Sequence, residues 1–303
     1  MSIKTSRAEG VAEIRIDYAK CNACGLCVAV CKGKPLYIEN RKLMVDQSII
    51  FGCIACGHCA AICPRSAISV SGRCMSPEDF IPIPPKNSRA SYEQIKSLFL
   101  ARRSTREFRE RAVPEDIIRK IIDAASGAPM GIPPSDVGVL VLRDTGKVQK
   151  FAGDFIAYLK KIKWIFSRFM LYFWRPFVSR EDFDLFRQFL IPLAAFLIET
   201  REKGEDWLLY NAPAAVMFYG TLYTDPADSY IAATYAMIAA ESLGIGSCMI
   251  GSVFPIIQYG ARDFKKKYNL PKKMRSGIIV IFGYPKYEFK KAIRRSLARV
   301  EFF

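Results

Sequence analysis

Eight of the chain's ten cysteines fall into two copies of one spacing: Cys21, Cys24, Cys27 and Cys31, then Cys53, Cys56, Cys59 and Cys63, the second copy followed by Pro64. Thiolates spaced C-x2-C-x2-C-x3-C hold [4Fe–4S] clusters, and two copies imply two clusters. Three cysteines two residues apart wrap one face of a cubane, because the short loops between them turn back and aim backbone N–H groups at the sulfurs. The fourth sulfur comes from elsewhere. A segment this short then folds around metal in place of a large apolar core.

In the bacterial ferredoxin arrangement the fourth ligand is supplied by the other motif, which groups Cys21, Cys24, Cys27 and Cys63 on one cluster and Cys53, Cys56, Cys59 and Cys31 on the other. Structural zinc sites more often read as two separated C-x2-C pairs. Disulfides need an oxidising compartment, and Met1 to Gly10 carries no apolar signal-peptide core, so the expected location is cytoplasmic. Lys32 stands where a proline commonly follows the fourth cysteine, so the first motif is the less regular one. His58 reads as a surface residue, and Cys74 and Cys248 as buried free thiols.

At 303 residues and 51% hydrophobic, the chain has room for more than one domain. Residues 1–75 are expected to form a ferredoxin-like domain, and Pro82, Pro84 and Pro85 mark a semi-rigid linker over 76–91. Residues 92–303 then read as an α+β domain. Tyr92, Ile95, Leu98 and Phe99 recur at helical spacing. Pro114, Glu115 and Asp116 open a second helix with Ile117, Ile118, Ile121, Ile122 and Ala125 as its buried stripe. Val137 to Leu142, Ala214 to Tyr219 and Gly277 to Phe282 read as short buried strands, and Asp225 to Gly244 as a long helix.

Two features break these patterns. Arg102-Arg103-Ser104-Thr105-Arg106 puts three guanidinium groups and two hydroxyls within five residues, a donor set suited to an anion. From Gly153 to Asp206, aromatic residues including Trp164, Phe166, Phe169, Tyr172, Phe173 and Trp174 interleave with Lys160, Lys161, Lys163, Arg168 and Arg175. That insertion is expected to be a lid or a dimer-interface element, with a membrane-surface helix as the lesser alternative. Neither this stretch nor the second apolar one, Phe189 to Ile198, reaches the roughly twenty residues a bilayer span needs.

The run Arg102 to Phe108, then Ala128-Pro129-Met130-Gly131, then Ala240-Glu241-Ser242-Leu243-Gly244-Ile245-Gly246-Ser247-Cys248-Met249-Ile250-Gly251, then Gly283-Tyr284-Pro285, resembles the FMN-dependent nitroreductase family in order and separation. The whole chain is similar to the ferredoxin-fused branch of that family. The resemblance implies a nitroreductase-like α+β domain with a central, mainly antiparallel sheet flanked by helices, and a homodimer. It implies that Arg102, Arg103, Ser104 and Arg106 hold FMN, with Arg106 nearest the pyrimidine edge, where a cation stabilises the anionic reduced ring. The turn Gly244 to Gly251 is expected to pass close to the ring, with an N–H near Gly251 facing flavin N5 and Met249 and Ile250 packing nearby. Pro129, Met130 and Gly131 join the site, and Arg295, or in second place Arg294, closes on the phosphate. Where many members carry Asn and Gln-Pro-Trp, this chain has Ile132 to Val137, so Ser135 or main-chain groups must substitute.

Formal charge is +16, and two oxidised clusters with one FMN bring it to about +10. No nucleic-acid-binding signature accompanies it. The expected function is an iron–sulfur flavoprotein oxidoreductase. A low-potential donor, a ferredoxin or another carrier or NAD(P)H, supplies electrons that pass through two [4Fe–4S] clusters to FMN and on to a nitroaromatic, an activated alkene or a quinone. The alternative is an electron-transfer module that serves a protein partner. No catalytic side chain is assigned.

Overall fold

A computed structural model of the chain describes residues 7–49, 51–177, 179–258 and 260–303. The reading of Met1 to Gly10 as leader-free falls largely on residues 1–6, outside the described ones, as do the side chains of Phe166, Arg168 and Trp174. Two compact units are present. The first comprises Met1–Arg89, Pro129–Gly138 and Gly220–Asp228; the second comprises Ala90–Ala128, Val139–Tyr219 and Ser229–Phe303.

In the first unit, strand β1 (Glu13–Ile16) is followed by helix α1 (Leu26–Val30), the hairpin β2 (Leu36–Glu39) and β3 (Lys42–Val45), helix α2 (His58–Ala61) and strand β4 (Ile68–Ser71). β1 runs antiparallel to β4, from Glu13 opposite Ser71 to Ile16 opposite Ile68. The β2–β3 turn has Asn40 and Arg41 both at positive φ, the handedness that suits a two-residue hairpin loop.

The doubled motif folds twice in the same way. Ala23 and Gly25 before α1, and Ala55 and Gly57 before α2, take left-handed conformations with φ of 53°, 82°, 60° and 76°. Such alternation of left- and right-handed residues turns successive N–H groups inward to a concavity that favours anions. The buried cluster of this unit is small: Ala12, Leu36, Leu43, Ala55, Ile68 and Val70 with Cys27, Cys53 and Cys59.

Cys74 departs from expectation: it is exposed. Arg73 and Cys74 both have positive φ in a tight turn closed by Gly72 and Met75, and it is Arg73 that turns inward. His58 is exposed, as its sequence context implies.

From Tyr92 onward the chain forms helices α3 (Tyr92–Ala101) and α4 (Glu115–Ser126), strand β5 (Val137–Leu142), helices α5 (Thr145–Ile162), α6 (Arg168–Trp174), α7 (Arg180–Leu185) and α8 (Ile191–Glu202), strand β6 (Ala214–Gly220), helix α9 (Asp228–Ser242), strand β7 (Gly246–Ile250), helices α10 (Phe254–Ile257) and α11 (Arg262–Lys267), and strand β8 (Ser276–Gly283). The sheet order is β5-β6-β8-β7, with β7 antiparallel to β8 from Gly246 opposite Gly283 to Ile250 opposite Ile279. Strands β6 and β8 are buried on both faces and read accordingly as continuous apolar runs. Val148, Phe151, Phe155 and Leu159 of α5 share one buried cluster with Met217, Ile279 and Ile281 of these strands, and Phe151 meets the rings of Phe264 and Tyr268 at 5.1 and 4.8 Å.

Two differences from the sequence reading have physical reasons. The stretch Gly244 to Gly251 is not simply a turn: Gly244 makes the left-handed stop after α9, and Gly246 to Ile250 then forms β7 because its backbone pairs with β8. Helix α9 starts three residues after Asp225, which instead accepts the Ala227 N–H on Oδ1 at 2.8 Å and so stabilises a turn around Pro226. The apolar stripe of α3 is exposed, with Tyr92, Ile95 and Phe99 uncovered in the single chain.

Candidate functional site

The cysteine sulfurs gather in two sets. Cys21, Cys24, Cys27 and Cys63 line one cavity together with Gly25 and Pro64. Burial pushes the Cys59 thiol up to about 12, and the neighbouring sulfurs of Cys53, Cys31 and Cys56 push the same way. Cys53 is likewise raised, by burial first and then by Cys56 and Cys31. Four thiols facing one another in low dielectric cannot all ionise alone; iron supplies the positive charge that lets them. Backbone N–H groups are already aimed at sulfur, as where Ala67 donates to Cys63 Sγ at 3.2 Å. The donor set therefore suits two cubanes.

Among the described residues of this unit, Arg73 is the buried cation. Its Nη1 donates to Gly10 O at 2.7 Å, Nε to Ile54 O at 3.3 Å and Nη2 to Pro133 O at 3.1 Å. Its charge favours the Cys53 thiolate. Cysteine spacing gave no sign of it.

Pro129, Met130, Gly131 and Ser135 also lie in the first unit. The Gly131 N–H donates to Asp228 Oδ1 at 3.2 Å, and Ser135 Oγ accepts the Val137 N–H at 3.3 Å. Burial raises the Asp228 carboxyl, opposed by that Gly131 N–H.

In the second unit the arginine run leaves the end of α3, where Arg102 is the cap, and passes alongside β7. Ser104 bridges to Ser247 in parallel sense, and the Thr105 N–H donates to Ser247 O at 3.0 Å. Arg102 Nη1, Arg103 Nη2 and Ser247 Oγ are buried without a hydrogen-bond partner. A buried guanidinium N–H with no acceptor carries the full cost of its lost hydration, so the pair is built to receive an anion. Glu241 on α9 is close enough to feel both cations: burial raises its carboxyl, and Arg102 and Arg103 oppose that rise.

Beyond this run, Arg106, Met249, Ile250 and Gly251 line one cavity of about 480 Å³, within the range of small-molecule sites. Its other walls are mainly apolar, from Phe155, Phe186, Phe189, Leu193 and Leu197. The Arg106 guanidinium sits over the ring of Tyr210 at 5.7 Å. A Cβ added at Gly251 would meet only Ile278 Cδ1, at 4.0 Å, so backbone here is open to close approach. An anion-seeking pair of guanidinium groups, and a cation at the edge of an apolar cavity bordered by glycine, together fit FMN.

Arg295 is not among these residues. It is exposed in the C-terminal segment after β8, outside any helix or strand. Cys248 is buried in the core of the second unit rather than lining the cavity, its side chain pointing to the face opposite Met249. Sequence reasoning missed Ser247 and Tyr210, whose roles depend on which face of a strand and which side of a loop they occupy.

Residues 100–284 match the model of the nitroreductase family, and residues 13–64 match that of a 4Fe-4S dicluster domain. No curated protein matches the sequence. Similar solved structures include a nitroreductase with bound FMN from Bacteroides fragilis, 19% identical, with a TM-score of 0.49, covering 69% of this chain and 99% of that one. A nitroreductase with bound FMN from Desulfitobacterium hafniense is 20% identical, with a TM-score of 0.48 and coverage of 69% and 97%. An FMN-dependent nitroreductase from Clostridium difficile is 15% identical, with a TM-score of 0.47 and coverage of 69% and 100%.

The family model spans well over half of the chain, and the chain belongs to the nitroreductase family. With its dicluster domain it is an iron–sulfur flavoprotein: an FMN-dependent oxidoreductase with [4Fe–4S] clusters.

Proposed function

We propose that this oxidoreductase takes electrons from a low-potential donor through its two [4Fe–4S] clusters to FMN and delivers them to a small organic acceptor, a nitroaromatic, an activated alkene or a quinone. FMN supplies the conversion between single electrons and pairs that such acceptors require. The observation that carries the reading is the mainly apolar 480 Å³ cavity with Arg106 and Gly251 in its wall.

The residues divide the work. Cys21, Cys24, Cys27 and Cys63 hold one cluster, and Cys31, Cys53, Cys56 and Cys59 the other. Arg102 and Arg103 bind the phosphate with the two nitrogens that lack acceptors. Ser104 adds a hydroxyl, and Arg106 holds positive charge at the pyrimidine edge. Gly251 offers its N–H to N5, while Met249 and Ile250 support the ring. Pro129, Met130, Gly131 and Ser135 border the cofactor, and Arg295 joins the phosphate in the assembled protein. We assign residues 1–75 to the cluster domain, 76–91 to the linker and 92–303 to the flavin domain.

The assembly is a homodimer in the cytoplasm. In support, α3 exposes Tyr92, Ile95 and Phe99, and the C-terminal segment exposes Tyr287, Phe289, Ile293 and Leu297, apolar surface that a second copy covers. Anaerobic purification followed by iron, sulfide and released-flavin assays, and then turnover with a nitroaromatic, an enone and a quinone, tests the reading. Bound iron and flavin with saturable turnover of one of these classes supports it. Absence of iron or flavin, or reoxidation only by a protein acceptor, refutes it.

A further inference from the structure

The 26 residues from Phe155 to Arg180 contain six basic residues, nine aromatic ones and no Asp or Glu. In the second unit they form the end of α5, a 3-10 turn over Lys163–Phe166, helix α6 and a further turn. Four of the aromatics stand out from the surface: Trp164 is 63% exposed, Phe169 80%, Tyr172 58% and Phe173 62%. Lys161, Lys163, Arg175 and Arg180 are exposed around them. Ser167 Oγ accepts the Met170 N–H at 3.3 Å as the N-terminal cap of α6.

Such a face needs a partner that is apolar at its centre and anionic at its rim. The second copy proposed above is assigned to other residues, those of α3 and of the C-terminal segment. An anionic bilayer meets both halves: Trp, Tyr and Phe settle at the headgroup level and Lys and Arg meet the phosphates. Behind Trp164 the apolar character continues inward. Lys163, Trp164 and Ser167 border a second cavity of about 360 Å³ against α8, and its walls Leu159 and Ala194 are shared with the 480 Å³ cavity. No described helix is long and apolar enough to cross a membrane.

From this juxtaposition we infer that residues 163–177 form an interfacial docking surface for an anionic lipid bilayer, which the protein binds peripherally through the exposed aromatics and their flanking cations. The inference does not depend on the proposed acceptor.

Co-sedimentation of the holoprotein with phosphatidylcholine vesicles, with and without phosphatidylglycerol, tests it. The expected result is partition onto the anionic vesicles that weakens as salt rises, together with a loss of about tenfold or more in Lys161→Gln/Lys163→Gln and in Phe169→Ser/Phe173→Ser. Iron and flavin content verifies that each variant is folded, and the lysine pair alone decides the matter if the aromatic pair is not. No partition onto either vesicle overturns the inference. So does partition that neither variant changes, or a fall in oligomeric mass in the aromatic variant with no vesicle binding by the parent, which would assign the face to a second copy.

Discussion

The backbone N–H of Thr105 donates to the carbonyl of Ser247 at 3.0 Å, and with the parallel bridge of Ser104 to Ser247 this bond fastens the arginine run to the strand that borders the cavity. The fit around it is close. A Cβ at Gly246 would lie 2.7 Å from Thr105 Oγ1 and 2.9 Å from Pro285 Cγ. Gly246→Ala therefore pushes the arginine run off β7, at about 1–3 kcal/mol of strain. We expect the purified variant to lose most of its flavin while iron content, set by the other unit, is unchanged. Full flavin occupancy would show that this contact does not position the site.

Arg102 and Arg103 carry buried nitrogens with no acceptor, and they should bind phosphate even without the rest of FMN. Added inorganic phosphate should raise the melting temperature of flavin-free protein, by the equivalent of about 2.7 kcal/mol at a hundredfold excess over its dissociation constant. Arg102→Ala and Arg103→Ala should abolish that rise and lower flavin content.

If the fourth ligands cross between motifs, Cys63→Ser and Cys21→Ser damage the same cluster. Each variant should retain about half of the iron, and both should lose the same reduced EPR signal. Loss of a different signal in each would mean that the sulfurs group along the sequence instead.

Removing Arg73 leaves the carbonyls of Gly10, Ile54 and Pro133 without their donor. Arg73→Met should destabilise the cluster-bearing unit by about 3 kcal/mol, read from the urea midpoint of iron loss. Because the positive charge beside Cys53 is also gone, the midpoint potential of the cluster that Cys53 holds should fall.

Asp154 gives a pH test. Burial raises its carboxyl, but hydrogen bonds from Lys267 and Tyr268 and the Lys267 charge outweigh that and hold it below the ordinary value of 3.8. A carboxyl depressed in the folded state stabilises fully above its unfolded value and loses that contribution as pH falls through the folded one. The stability difference between parent and Asp154→Asn, measured by denaturant unfolding, should be constant above about pH 5 and shrink below 3.8.

What could be seen in the sequence follows from which interactions are local. The cluster cysteines, the strands at Val137, Ala214 and Ser276 and the stripe of α4 are written in spacing and periodicity that a few neighbouring residues decide. Strand β7 was hidden because its glycines read as a turn, and only pairing with β8, some thirty residues away, extends it. Cys74 and Arg73 exchanged places for a similar reason: burial followed from which side chain could reach three distant carbonyls, and the longer cation did. Cys248 and Met249 are adjacent, yet Met249 lines the cavity and Cys248 does not, a distinction that composition does not carry.

The central claim is that iron–sulfur and flavin centres work as one path. Holoprotein reduced anaerobically, mixed with a nitroaromatic acceptor and freeze-quenched over successive turnovers, tests it most directly, with clusters followed by EPR and flavin by absorbance. The account predicts that the reduced cluster signals decay in step with product, in a fixed ratio of electrons lost to acceptor reduced. Flavin that turns over while both cluster signals persist would contradict it.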